Sequence, residues 1–103
     1  MTFKSVIIAA AMLVSATAAN AADHIVTIKG FAFAPANLTI EAGDSVTFVN
    51  EDSAPHTATD KAGAFDTGRM SSGQQSTLTF GGAGTFDYFC EIHPNMTAQI
   101  IVE

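Results

Sequence analysis

Gly84-Thr85-Phe86-Asp87-Tyr88-Phe89-Cys90 runs directly into Glu91-Ile92-His93-Pro94-Asn95-Met96, and the two halves differ in character. In the first, Phe86, Tyr88 and Cys90 recur at every second position, which places them on one face of an extended strand. Gly81-Gly82-Ala83-Gly84 before it reads as a flexible turn. The second half loses the alternation and reads as a short loop. It returns the chain to a last strand, Ala98 to Val102, with Ile100 and Val102 on a common face.

The same period of two recurs upstream. Val46 and Phe48 share one face of a strand and Thr47 and Val49 the other, while Leu38 and Ile40, and Leu78 and Phe80, mark two more. Ile25 to Ile28 and Phe31 to Phe33 carry the pattern on either side of Gly30, where a bulge or bend is expected. Pro35-Ala36-Asn37 reads as a turn, and Glu41-Ala42-Gly43-Asp44 as a tight hairpin connection. Asn50 to Pro55 is a polar loop, Thr57 to Thr59 a brief strand, and Lys61 to Gly73 a Gly- and Ser-rich excursion. No stretch after residue 22 sustains a helical period over ten positions. Seven to eight short strands in so small a chain predict an all-β domain, either a two-sheet sandwich or a small barrel. Phe31, Phe33, Phe48, Phe80 and Phe86 are its expected core, each worth about 1.5 to 3 kcal/mol on full burial.

Cys90, His93 and Met96 place a thiolate, an imidazole and a thioether within seven residues, and His56 follows Pro55, 34 positions before Cys90. Singly, each has an ordinary explanation as core filler or a loop residue. Jointly they form a set suited to copper, because Cu(I) prefers soft sulfur and Cu(II) accepts imidazole nitrogen well. His56, Cys90 and His93 then serve as equatorial ligands and Met96 as a weak axial one. Zinc also takes Cys and His, but a structural zinc site gathers four strong ligands and methionine is a poor fourth. A hydrolytic zinc site would need a base nearby, and Glu91, the adjacent candidate, falls on the face opposite Cys90.

The N-terminus reads as an export signal: Lys4 begins it, Val6 to Val14 is an unbroken apolar run, and Ala19-Asn20-Ala21 is a small-residue cleavage pattern. The run is short for a membrane span, so residues 1–21 are expected to be a cleaved signal peptide and no stable membrane insertion is expected. Residues 22–103 then form a single domain carrying three basic and ten acidic residues, a formal charge of −7. Nucleic acid is a poor partner for such a surface. Exported domains of this size often rely on disulfides, yet Cys90 is the sole cysteine, so a metal on its sulfur suits an oxidising compartment.

From about Ile25 to Glu103 the chain resembles the cupredoxins, the small blue copper proteins of the plastocyanin, pseudoazurin and amicyanin group. The resemblance rests on Pro55-His56, on Gly63-Ala64-Phe65-Asp66-Thr67-Gly68, and on Gly84 to Cys90 leading into His93-Pro94-Asn95-Met96. The two-residue gaps on each side of His93 are most similar to amicyanin. It implies a cupredoxin-like Greek-key β-sandwich, one type 1 copper ion cycling between Cu(2+) and Cu(+), and electron shuttling. It also implies that His56 is the more buried ligand and that His93 has a ring edge near solvent. Two positions depart from the family pattern: Thr57 stands where asparagine is common, and Ala98 where glycine is common. A threonine hydroxyl is still able to bridge the ligand loops.

The expected protein is therefore a monomeric periplasmic electron carrier serving larger redox proteins, such as a dehydrogenase, a c-type cytochrome or a reductase. It is not expected to be an enzyme, since a copper oxidase or nitrite reductase needs a further copper centre or a substrate position. The alternative is a copper carrier or chaperone. A separate expectation concerns Ala22-Asp23-His24: cleavage after Ala21 creates an amine that, with two amides and the His24 imidazole, forms a square-planar site for Cu(II) or Ni(II).

Overall fold

A computed structural model describes residues 20–103. The expected signal peptide lies almost wholly outside the described residues. Those residues contain eight strands: β1 (Asp23–Ile28), β2 (Phe33–Ala34), β3 (Asn37–Ile40), β4 (Ser45–Asn50), β5 (Thr59–Asp60), β6 (Gln75–Thr79), β7 (Gly84–Phe89) and β8 (Thr97–Val102). They form two four-stranded sheets, ordered β2-β1-β4-β6 and β3-β8-β7-β5. Among the described residues no helix is long and apolar enough to cross a membrane.

Period-two patterning explains both faces. Val46, Phe48 and Asn50 of β4 are buried, while Thr47 and Ser45 turn outward and meet β6 through hydroxyl pairs, Thr47 with Thr77 at 2.8 Å and Ser45 with Thr79 at 3.0 Å. In β1 the buried positions are Val26 and Ile28, opposite Phe48 and Asn50 in parallel register; Ile25 is 62% exposed. Between the sheets Phe33, Phe48 and Tyr88 meet edge to face at centroid distances of 4.8 and 5.6 Å. The loop after β5 also joins the core, contributing partly buried Phe65 and buried Met70.

Three expectations are corrected. Glu41 to Asp44 does not close a hairpin, because β3 pairs in parallel with β8 and β4 with β1, so the segment crosses from one sheet to the other. Alternation marks a strand's faces but not the sheet it joins. Phe31 is not a core residue: it is 51% exposed at the tip of the β1–β2 hairpin. Gly30 and Phe31 both take positive φ, 64° and 58°, as a two-residue primed hairpin turn requires. A brief strand was also expected over Thr57 to Thr59; the paired segment is Thr59–Asp60, and His56 makes an isolated bridge with Met70.

Candidate metal centre

Cys90 follows the last residue of β7, on the inward face that Tyr88 also occupies, and is fully buried. His56 is likewise fully buried. Its amide donates to the Met70 carbonyl at 3.1 Å and its carbonyl accepts from the Met70 amide at 2.8 Å. Asn50 braces this contact from the end of β4, its side-chain amide donating to the carbonyls of Met70 and Ala54. The loop between β7 and β8 is closed by Met96 N–H donating to the His93 carbonyl at 2.9 Å and Cys90 N–H donating to the Met96 carbonyl at 3.1 Å. Residues from two distant stretches of chain thus converge at one end of the sandwich.

The convergence is tight. Cys90 Sγ lies 3.8 Å from His56 Nδ1 and 3.8 Å from His93 Nδ1, and the two nitrogens are 3.2 Å apart. A point equidistant from the corners of that triangle is about 2.1 Å from each, the length of a metal–imidazole bond and slightly under that of a metal–thiolate bond. His56 Nε2 is 2.8 Å from Asp52 Oδ2. A carboxylate only accepts, so Nε2 carries the proton and Nδ1 turns a lone pair toward Cys90. His93 is partly exposed, whereas Met96 is buried at 4% exposure on the same loop. The structure therefore brings His56, Cys90 and His93 together, and Met96 is buried on the loop that carries His93.

Other residues complete the surroundings. Thr57 N–H donates to Cys90 Sγ at 3.3 Å, and its hydroxyl accepts the Glu91 N–H at 2.9 Å, so threonine bridges the two ligand segments as expected. Read from sequence alone, Asp52 has no assigned role and Phe31 falls in the core rather than at this site. Asp52 accepts from the amides of Gly30 and Phe31 at 2.7 and 2.9 Å while holding His56. The Phe31 amide above all, with the Gly30 amide and the His56 ring, keeps its carboxyl below the ordinary value against the opposing effect of burial. Phe31 then sets its ring edge-on against His56 and His93, at 5.1 and 4.8 Å between centroids. An acid four residues before a histidine in a polar loop is a weak sequence signal, and a hairpin-tip phenylalanine gives none.

Comparison with known proteins agrees with this geometry. The cupredoxin-like domain family matches residues 4–102. The chain belongs to that family. Over 84 residues it is 37% identical to amicyanin from Paracoccus versutus, covering 77% of this chain and 64% of that protein, so it spans just under two thirds of that relative's length. The solved structure of Paracoccus versutus amicyanin superposes with a TM-score of 0.70 at 34% identity, covering 86% of this chain and 87% of that one. A copper-containing nitrite reductase from Thermus scotoductus gives a TM-score of 0.74 at 31% identity, covering 79% of this cupredoxin and 22% of the reductase chain.

The second metal expectation, at Ala22-Asp23-His24, does not fit the fold. His24 sits within β1 opposite Val46, with its Nε2 2.9 Å from Asp44 Oδ2, and Ala22 N–H donates to Asp44 Oδ1 at 2.8 Å. A square-planar chelate needs these nitrogens curled around one ion, whereas a paired strand holds the segment extended.

Proposed function

We propose that this cupredoxin is a periplasmic one-electron carrier in which His56, Cys90, His93 and Met96 hold one type 1 copper ion. The observation that carries the reading is the buried triangle of one sulfur and two imidazole nitrogens, 3.2 to 3.8 Å on a side. Bound copper supplies the reversible one-electron couple, and a mixed sulfur and imidazole set suits both of its states.

The protein's part is to keep that set still. Asp52 and the Met70 backbone fix the His56 ring, Thr57 fixes Cys90, and the closed turn from His93 to Met96 limits loop movement. Phe31 packs edge-on against the two histidine rings and shields them in part from water. His93, partly exposed, is the edge through which electrons enter and leave. Among the described residues His56, Cys90 and His93 form the cluster placed to hold a metal. The partners are larger redox proteins acting as donor and acceptor, such as a dehydrogenase, a c-type cytochrome or a reductase. Export proceeds by removal of residues 1–21, which N-terminal sequencing of the mature protein tests.

The deciding experiment is the visible absorption spectrum of the Cu(II)-loaded protein. An intense thiolate-to-copper band that vanishes on reduction is expected, and Cys90→Ser should abolish it. A stable Cu(II) complex without that band overturns the reading in favour of copper carriage.

A further inference from the structure

Thr57 is one link in a longer run of hydrogen bonds. Its hydroxyl accepts the Glu91 N–H at 2.9 Å and lies 2.9 Å from Thr59 Oγ1, which in turn lies 3.0 Å from Asp66 Oδ1. A hydroxyl has one proton to give and a carboxylate has none. Thr59 gives its proton to Asp66, so its oxygen accepts the proton of Thr57, and the Thr57 oxygen is left to accept from Glu91. Each member therefore has a single orientation. Thr57 and Thr59 are 4% and 8% exposed, so water competes little for the bond between them, while Asp66 closes the run at the surface. Asp66 is itself held, because the Gly68 N–H donates to the same Oδ1 at 2.8 Å.

We infer that Thr59 and Asp66 are positioning residues for the Cys90 sulfur, acting through Thr57. The inference rests on the copper reading above. Hydrogen bonds in series polarise one another, and a carboxylate at the accepting end orders the hydroxyls that lead to it. The ordered Thr57 hydroxyl ties Glu91, the residue after Cys90, to the segment whose amide donates to Cys90 Sγ at 3.3 Å. That bond draws electron density from the sulfur. Hydrogen bonding around the cysteine sulfur tunes the potential of a blue copper site. Loss of the run lets Thr57 drift from the sulfur, strengthens donation to Cu(II) and lowers the potential. Thr59 and Asp66 lie 31 and 24 residues before Cys90, so ligand spacing gives no hint of them.

The test is a mutant cycle with two readouts. Thr57→Val should lower the reduction potential, and Thr59→Val should lower it in the same direction by less. Thr59→Ser, which keeps the hydroxyl, should restore the wild-type value. Asp66→Ala should resemble Thr59→Val, while Asp66→Asn, which keeps an accepting oxygen, should not. The double Thr57→Val/Thr59→Val variant should shift no further than Thr57→Val alone, because the residues act in series. In the copper-free protein, amide hydrogen exchange at Glu91 should quicken by roughly tenfold in Thr57→Val, the loss of about one hydrogen bond, and severalfold in Thr59→Val. A folded Thr59→Val protein with wild-type potential and wild-type Glu91 exchange overturns the inference, as do single shifts that simply add. A wild-type protein lacking the blue band overturns the copper reading and the sulfur role with it. A silent Thr59→Val in a blue protein overturns the series alone.

Discussion

Phe31 and Tyr88 each sit where their chemistry is in partial conflict with their surroundings. A side chain at positive φ costs roughly 1 kcal/mol or more, and Phe31 holds φ 58° because the Asp52 carboxylate grips its amide. In return, one carboxylate fixes both the aromatic cover and the ring of His56. Tyr88 is fully buried, and its hydroxyl has no protein hydrogen-bond partner among the described residues; burial raises its phenol well above the ordinary value. Removing an unpaired buried hydroxyl relieves a desolvation cost of about 1 to 3 kcal/mol, offset by the small space it leaves. Tyr88→Phe should therefore be as stable as the wild type or up to about 1 kcal/mol more so in urea unfolding. A loss beyond about 1 kcal/mol would show that the hydroxyl is satisfied.

At the scale of the element, β1 offers a direct contrast. Ile25 and Val26 are neighbours of similar chemistry, yet one is 62% exposed and the other fully buried opposite Phe48. Val26→Ala should cost about 2 kcal/mol in chemical denaturation, since it removes apolar atoms from a packed core and leaves a cavity. Ile25→Ala should stay within about 0.5 kcal/mol of wild type. Equal losses at the two positions would contradict the register. The sequence shows that this segment alternates, but Ile25, Val26 and Ile28 satisfy either phase in part. The phase is set by the parallel pairing with β4, which aligns Val26 with Phe48 and Ile28 with Asn50.

For the whole molecule, Asp44 ties the start of β1 to the crossing between the sheets. It accepts from the Ala22 amide, lies 2.9 Å from the His24 ring and accepts from the Glu41 amide. The Ala22 amide first, then the His24 ring and the Glu41 amide, lower its carboxyl to about 2. A carboxyl depressed by folding takes up its proton more readily in the unfolded chain, so acid favours unfolding. The contribution is complete above about pH 4, the ordinary carboxyl range, and is lost as pH falls toward 2. Urea midpoints measured across that window should fall with pH in the wild type and fall less steeply in Asp44→Asn. Parallel slopes would remove Asp44 from the account.

The sequence by itself determined the candidate ligand types and the faces of the clearly alternating strands β4 and β7, because both are local. Cys90, His93 and Met96 share one loop, and Phe86, Tyr88 and Cys90 share one strand face whatever the rest of the chain does. Tertiary structure decided everything that joins distant residues. It chose the sheet for β3 and β4, turning an expected hairpin into a crossing, because alternation carries no information about a strand's neighbour. It moved Phe31 from the expected core to the cover of the metal centre, because a φ of 58° at a hairpin tip aims the ring away from the sheet face. It also set Asp52 on His56 and joined Thr57, Thr59 and Asp66 into one directed run. Hydrogen bonds of that kind depend on atoms meeting within about 3 Å, a condition that spacing along the chain does not encode.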